Sequence, residues 1–191
     1  MCDQLSDKFK RVISVVQHGF MKGRSTSTNL VDFVNEVIRT VERGRQVDVV
    51  YTDMRKAFDR VHHGSLLRKL EELGVHSSML CWLRTYLEGR TQHVRLMGCK
   101  SQPYSVTSGV PQGSHLGPLL FLIFFNDVVS VIKHSKCALY ADDLKLYREV
   151  KSLEDSAKLQ RDLTAISQWC TDNFLCLNVG KCATISFFPY S

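Results

Sequence analysis

Two short apolar runs, Cys137 to Tyr140 and Leu144 to Tyr147, stand either side of Ala141-Asp142-Asp143. Each has the length of a strand, and the connection between them is short enough to predict a hairpin with acidic residues at its tip. A β-branched run, Val47 to Thr52, reads as a further strand and ends at a third carboxylate, Asp53. A chain that places adjacent carboxylates in an otherwise apolar hairpin is committed to an antiparallel ribbon and to a solution for their repulsion.

The rest of the chain supplies helices and more strands. Ser25 to Thr28 offer caps for a helix whose apolar residues, Leu30, Phe33, Val34, Val37, Ile38 and Val41, recur at helical spacing, with Gly44 as a stop. Gly64 to Leu73 and Ser77 to Leu87 read as two helical segments separated by Gly74. Thr91 to Met97 and Gln102 to Thr107 read as a strand pair with Gly98 near the turn. An apolar helix is expected from about Pro118 to Ile132. Another, capped by Ser152 with Asp155, presents Leu159, Leu163, Ile166 and Cys170 inward. Phe174 to Leu177 and Ala183 to Phe188 read as two final strands. The order predicts an α+β fold around one largely antiparallel sheet, without internal repeats or linkers.

Composition narrows the class. At 191 residues, with 44% hydrophobic and 23% charged residues, the chain can bury a real core and is neither disordered nor membrane-embedded. The longest apolar stretch, Leu119 to Phe125, is too short to span a bilayer, and the N-terminus lacks a signal-peptide form. Seven cysteines without a C-x-x-C pair suggest neither a disulfide framework nor a zinc module, so an intracellular location is expected, nucleus and cytoplasm being indistinguishable. The net charge of +6 is uneven. Residues 1–100 hold 17 Lys and Arg against 11 Asp and Glu, and residues 101–191 hold 8 against 8. That asymmetry points to a polyanion partner for the first half.

If the ends of the strands bearing Asp53, Asp142 and Asp143 adjoin, the carboxylates form the oxygen-rich pocket that hard Mg²⁺ prefers. Two such ions roughly 4 Å apart stabilise both the attacking and the departing oxygen of an in-line displacement. The plain alternative is that acidic residues at strand ends and turns are solvated.

Four segments carry a resemblance. Tyr140-Ala141-Asp142-Asp143 resembles the Y/F-x-D-D box of reverse transcriptases, and Tyr51 to Val61 resembles their first carboxylate motif. Ser108-Gly109-Val110-Pro111-Gln112-Gly113-Ser114, followed by Gly117 to Phe121, resembles their S-G-x-P-Q-G motif. Gln17-His18-Gly19-Phe20 with Gly23-Arg24-Ser25-Thr26 is similar to the fingers motif of non-LTR retrotransposon and group II intron enzymes. The boxes occur in the family's order over roughly residues 17–188, and their wording is closest to jockey-like and chicken-repeat non-LTR elements.

The resemblance implies a palm sheet of the ferredoxin-like type plus partial fingers, with residues 1–191 as one reverse transcriptase domain fragment. Fingers would be about 1–45 and parts of 60–107, and palm about 46–59 and 108–188, with no thumb and no endonuclease. It implies RNA-directed DNA polymerase activity, with an RNA template, a DNA primer and deoxynucleoside triphosphates as partners, no membrane, and protein partners unspecified. The alternative is an inactive remnant that only binds nucleic acid.

Residue by residue, the resemblance makes Asp53, Asp142 and Asp143 the ligands of two Mg²⁺ ions (or Mn²⁺), with the Met54 carbonyl as a further ligand. Phe58 becomes a gate against the ribose 2′-hydroxyl, although on pattern alone it is a core aromatic. Gln112 would contact the incoming nucleotide or the template, and Gly113 would let the backbone approach the nucleotide closely. Lys22 and Arg24 would meet its triphosphate, and Lys181 would protonate the departing pyrophosphate. Met21 stands where related elements often carry a basic residue. His62 and His63 are expected to cap a helix, Trp82, Leu83 and Tyr86 to be core, and Cys170, Cys176 and Cys182 to be buried thiols.

Overall fold

The computed structural model describes Phe9 and residues 12–189. In chain order the elements are α1 (Thr26–Glu42), β1 (Gln46–Thr52), a 3₁₀ turn (Ala57–Arg60), α2 (His63–Glu72), α3 (Ser77–Leu87), β2 (Arg90–Gln92), β3 (Arg95–Leu96), β4 (Cys99–Lys100) and β5 (Tyr104–Val106). They continue with α4 (Leu116–Phe125), a second 3₁₀ turn (Asn126–Val131), β6 (Lys136–Tyr140), β7 (Asp143–Val150), α5 (Leu153–Asp172), a third 3₁₀ turn (Val179–Lys181) and β8 (Ala183–Phe187). Two compact units result, Met1–Arg55 with Phe125–Ser191, and Lys56–Phe124. Their boundaries do not coincide with the fingers and palm limits that the resemblance implies.

The first unit holds a four-stranded sheet of order β6-β7-β1-β8, antiparallel throughout. Together with α4 and α5 in chain order this is the β-α-β-β-α-β sequence and strand order of a ferredoxin-like fold. The predicted α+β class and hairpin are thus present, and β7 runs three residues beyond the expected Tyr147.

Helix α1 starts where its sequence demands. The Ser25 hydroxyl accepts from the Thr28 N–H and the Thr28 hydroxyl accepts from the Ser25 N–H, a reciprocal capping box. Phe33 and Val37 pack on Val47, Val49, Ala138 and Tyr147. Leu30, Val34 and Ile38, expected on the same inner face, remain exposed, because the sheet covers a narrower stripe than the apolar residues offer.

Two expected elements change. The helix reaching Ile132 ends at Phe125 and tightens into a 3₁₀ turn, because Asn126 turns its side chain back to accept from the Ser14 N–H and donate to the Val12 carbonyl. The strand expected at Phe174 to Leu177 reduces to a single bridge between Met54 and Leu177. Phe174 takes φ 60° and the Leu175 N–H returns to the Cys170 carbonyl, so this segment unwinds α5 and is too short of extended backbone for a ladder.

Helix α5 begins at Ser152, whose hydroxyl accepts from the Asp155 N–H as expected. Its inner face, Leu159, Ile166, Trp169 and Cys170, also buries Asp162 at 2% exposure. Burial pushes that carboxyl up, but N–H donation from Lys133 and His134, both at 2.9 Å, outweighs it and holds Asp162 below the ordinary value. A depressed folded value stabilises the fold above the ordinary carboxylate range and loses that effect as pH falls through it. Asp162→Ala is therefore expected to lower stability by roughly 1.5–3 kcal/mol at neutral pH. The difference from the parent chain should shrink below about pH 4 in urea titrations.

In the second unit, His62 caps α2 by accepting from the Ser65 N–H, as expected, and His76 caps α3 in the same way. Leu83 is fully buried, whereas Trp82 is 38% exposed and stacks on Tyr86 at 5.5 Å, so only part of that trio is core. The predicted strand pair divides into two ladders, β2 with β5 and β3 with β4. Met97 (φ 46°) and Gly98 (φ 82°) together make the inner turn, the two positive φ values that a tight hairpin needs.

Candidate active site

In the β1–β7 ladder Thr52 lies opposite Leu144, the last pair. Asp53 therefore directly follows the end of β1, and Asp143 is the first residue of β7 at the same end of the two central strands. The β6–β7 turn consists of Ala141 and Asp142, between the paired residues Tyr140 and Asp143. Asp53 is held by backbone: its carbonyl accepts from the Asn178 N–H at 2.8 Å, and the Arg55 N–H donates to the Cys176 carbonyl. Met54 is buried between them at 4% exposure, so its side chain faces inward and only its backbone is offered to a ligand.

Asp53, Asp143 and Lys181 line one open cavity of about 520 Å³, with Tyr51, Thr52, Leu144 and Lys145. Burial raises the Asp142 carboxyl above its ordinary value, and the charges of Asp143 and Asp53 raise it further against one backbone hydrogen bond. Burial and then Asp53 likewise raise Asp143, opposed by Lys145. The three sequence-predicted carboxylates thus feel one another.

Among the described residues no group of three or more His, Cys, Asp or Glu side chains is arranged to hold a metal ion as it stands. Mg²⁺ asks for less, one or two carboxylates completed by water and substrate phosphates. Two hard oxygen donors, Asp53 and Asp143, on one cavity fit that ion, and a dication there would offset the burial and the Asp53 charge that raise Asp143.

Lys145 was not singled out in the sequence. Its Nζ donates to Asn29 Oδ1 at 2.9 Å and lies 5.4 Å from the Phe33 ring centroid, and burial lowers its pKa against the pull of Asp143. The available signal was the two-residue alternation that puts Asp143 and Lys145 on the same face of a strand.

Lys22 and Arg24 do not line this cavity. Lys22 is exposed, and Arg24 uses Nη1 to bind the carbonyls of Val15 and Gln17, closing its own loop. Cys170 is buried, and burial with the nearby Cys176 and Cys182 pushes its thiol up to about 12. Cys176 and Cys182 are only half-buried, and all three are free thiols.

The remaining candidates lie in the second unit. Phe58 stacks on Phe121 with centroids 4.0 Å apart and planes 15° apart, a packing role that the family pattern does not specify. Gln112 Nε2 donates to Asp59 Oδ1 at 2.7 Å, and the Ser108 hydroxyl donates to the Asp59 carbonyl. Gly109 and Val110 donate to the carbonyls of Val61 and Phe58, so the Ser108–Gly113 segment is docked on the 3₁₀ turn. Gly113 has φ 76°.

A β-α-β-β-α-β sheet carrying carboxylates at the ends of its central strands is the palm type that the sequence motifs imply. Residues 1–187 match the reverse transcriptase (RNA-dependent DNA polymerase) family, and the chain belongs to it. It is 32% identical over 190 residues to the RNA-directed DNA polymerase from mobile element jockey of Drosophila funebris, covering 95% of this chain and 21% of the relative. The Drosophila melanogaster jockey polymerase is 34% identical over 185 residues, covering 93% of this chain and 20% of the relative. The chain thus spans about a fifth of the length of these curated relatives. The structure of apo telomerase from Candida tropicalis, truncated from its C-terminal domain, superposes with a TM-score of 0.71 at 13% identity, over all of this chain and 40% of the other. That likeness supports the fold alone. Reverse transcriptases are in general divalent-metal dependent. Among the described residues no helix is long and apolar enough to cross a membrane.

Proposed function

We propose that the chain catalyses RNA-templated addition of deoxynucleotides to a primer 3′-hydroxyl, releasing pyrophosphate. The observation that carries this reading is the single cavity that Asp53, Asp143 and Lys181 line together at one end of the sheet. Asp53 and Asp143, with Asp142 beside them, are assigned as ligands of Mg²⁺, and the Met54 carbonyl as a further donor. When bound, two such ions lower the pKa of the attacking hydroxyl and neutralise charge on the departing phosphate. Lys181 is assigned to donate a proton to the leaving pyrophosphate, and Lys145 to hold phosphate charge beside Asp143. Lys22 is assigned to the triphosphate and Arg24 to the shape of its loop. Residues 46–59 and 108–188 are taken as palm, and 1–45 with parts of 60–107 as fingers. The RNA template and DNA primer are the polyanions that the basic first half would meet.

Primer extension by the 191-residue chain on poly(rA)/oligo(dT) tests the reading. Mg²⁺-dependent incorporation of dTTP is expected, and it should stop on chelation. Duplex binding without any extension would overturn catalysis and leave a binding module.

Gln112 and Gly113 are assigned to the nucleotide, and Phe58 is proposed as the gate against a 2′-hydroxyl. Phe58→Val is expected to raise ribonucleotide relative to deoxynucleotide incorporation by roughly ten-fold or more. The measurement is the ratio of the two kcat/KM values. An unchanged ratio with lowered stability would assign the ring to its stack on Phe121 alone.

A further inference from the structure

Gln17 has no part in the chemistry above, yet its side chain and the backbone beside it are hydrogen-bonded to the turn bearing Asp142 and the strand before it. Gln17 is buried at 3% exposure. Its Nε2 donates to the Ala141 carbonyl at 3.0 Å, and its Oε1 accepts from the Ala141 N–H at 2.8 Å and from the Gly19 N–H at 2.7 Å. One carboxamide therefore satisfies both backbone polar groups of Ala141, a residue 124 positions away. Ala141 sits at φ 55°, a left-handed conformation that a residue with a Cβ disfavours. The flanking backbone is fastened as well. The His18 N–H donates to the Leu139 carbonyl and the Leu139 N–H to the Val16 carbonyl, while Arg24 binds the Gln17 carbonyl. Gly19 completes the seat, since a Cβ there would lie 2.3 Å from the Ala141 nitrogen.

We propose that Gln17, seated by Gly19, is a positioning residue that locks the Ala141–Asp142 turn and so aims the carboxylates of Asp142 and Asp143 at the metal. The proposal rests on the assignment of those aspartates as metal ligands. The chemistry is specific. A carboxamide of this reach offers a donor to the carbonyl and an acceptor to the N–H at once, whatever the pH. An unclamped turn is free to leave its strained conformation, and Asp142 follows Ala141 directly in the chain. Outer-shell partners of this kind typically change metal affinity or activity ten- to hundred-fold.

The test uses the 191-residue chain with Mn²⁺ as the probe, its binding followed by the electron paramagnetic resonance of the free ion. Gln17→Met preserves length and removes all three hydrogen bonds, while Gly19→Ala disturbs the same turn from its other contact. Both are expected to weaken Mn²⁺ binding by about ten- to hundred-fold. Both should also speed amide exchange at Ala141 while leaving exchange at Val49 and Leu146 near that of the parent. Asp142→Asn serves as the reference. If it weakens Mn²⁺ binding while both Gln17→Met and Gly19→Ala leave affinity unchanged despite faster exchange at Ala141, the positioning role is overturned and the metal assignment stands. If Asp142→Asn itself has no effect on Mn²⁺, the metal assignment fails and takes this proposal with it. Global unfolding of both turn variants would make Gln17 a scaffold residue and also overturn the proposal. If one variant alone folds, it decides between these outcomes.

Discussion

Asp142→Asn is expected to reduce primer extension by more than about a hundred-fold, beyond the loss typical of an outer-shell partner, while the chain stays folded. The substitution keeps the volume and removes the charge. Asp142 sits half-buried at the tip of the hairpin, where the charges of Asp143 and Asp53 oppose its ionisation. The negative charge that disfavours the metal-free fold is the charge that a dication needs. Activity and stability should therefore move in opposite directions. Single-turnover extension should collapse, and the thermal midpoint measured with chelator present should hold or rise. Extension at the parent rate would remove Asp142 from the site. A lowered midpoint would show that the carboxylate has a structural partner.

Gly109→Ala is expected to cost about 2–5 kcal/mol of stability, the sum of a left-handed backbone penalty and forced overpacking. Gly109 has φ 86°, and a Cβ would stand 2.8 Å from both the Cα and the carbonyl oxygen of Asp59. Neither neighbour can swing aside, because both are backbone. The Gly109 N–H donates to the Val61 carbonyl, and its own carbonyl accepts from His63 Nε2 and Arg90 Nη2. Displacement would therefore disturb the helix start at His63 and the strand start at Arg90 together. Equilibrium urea unfolding checks the value. A change below about 1 kcal/mol would mean that the 3₁₀ turn yields easily, contrary to its hydrogen bonding. The same contact explains why a motif read as nucleotide-binding also bears on stability, with Gln112 held on the Asp59 carboxylate.

What the chain encodes locally could be read from it directly. Ser25 and Thr28 announce the start of α1, Ser152 and Asp155 the start of α5, and the alternation around Ala141-Asp142-Asp143 the hairpin. Caps, turns and apolar periods join residues a few positions apart, so propensity and hydrogen-bond chemistry suffice to define them. The four motifs also marked three carboxylates as one candidate set, and the pairing of β1 with β7 then brought Asp53 and Asp143 to one cavity. The strand expected at Phe174 failed because its backbone is taken by the exit of α5, a local contest that apolar content does not reveal.

Other features waited for the tertiary structure. In the sequence Gln17 is only the first residue of a motif and Lys145 one more strand lysine; the fold brings the carboxamide of Gln17 to Ala141 and Lys145 to a cavity with Asp143. Phe58 was core by pattern and gate by resemblance, and its stack on Phe121 appears only when the 3₁₀ turn and α4 are assembled. Half of the apolar stripe on α1 stayed outside because the width of the covering sheet, not the stripe itself, limits burial. Each of these depends on pairing between segments far apart in the chain. Such pairing is selected by the total burial and hydrogen bonding of the whole fold, and no short window of sequence contains that sum.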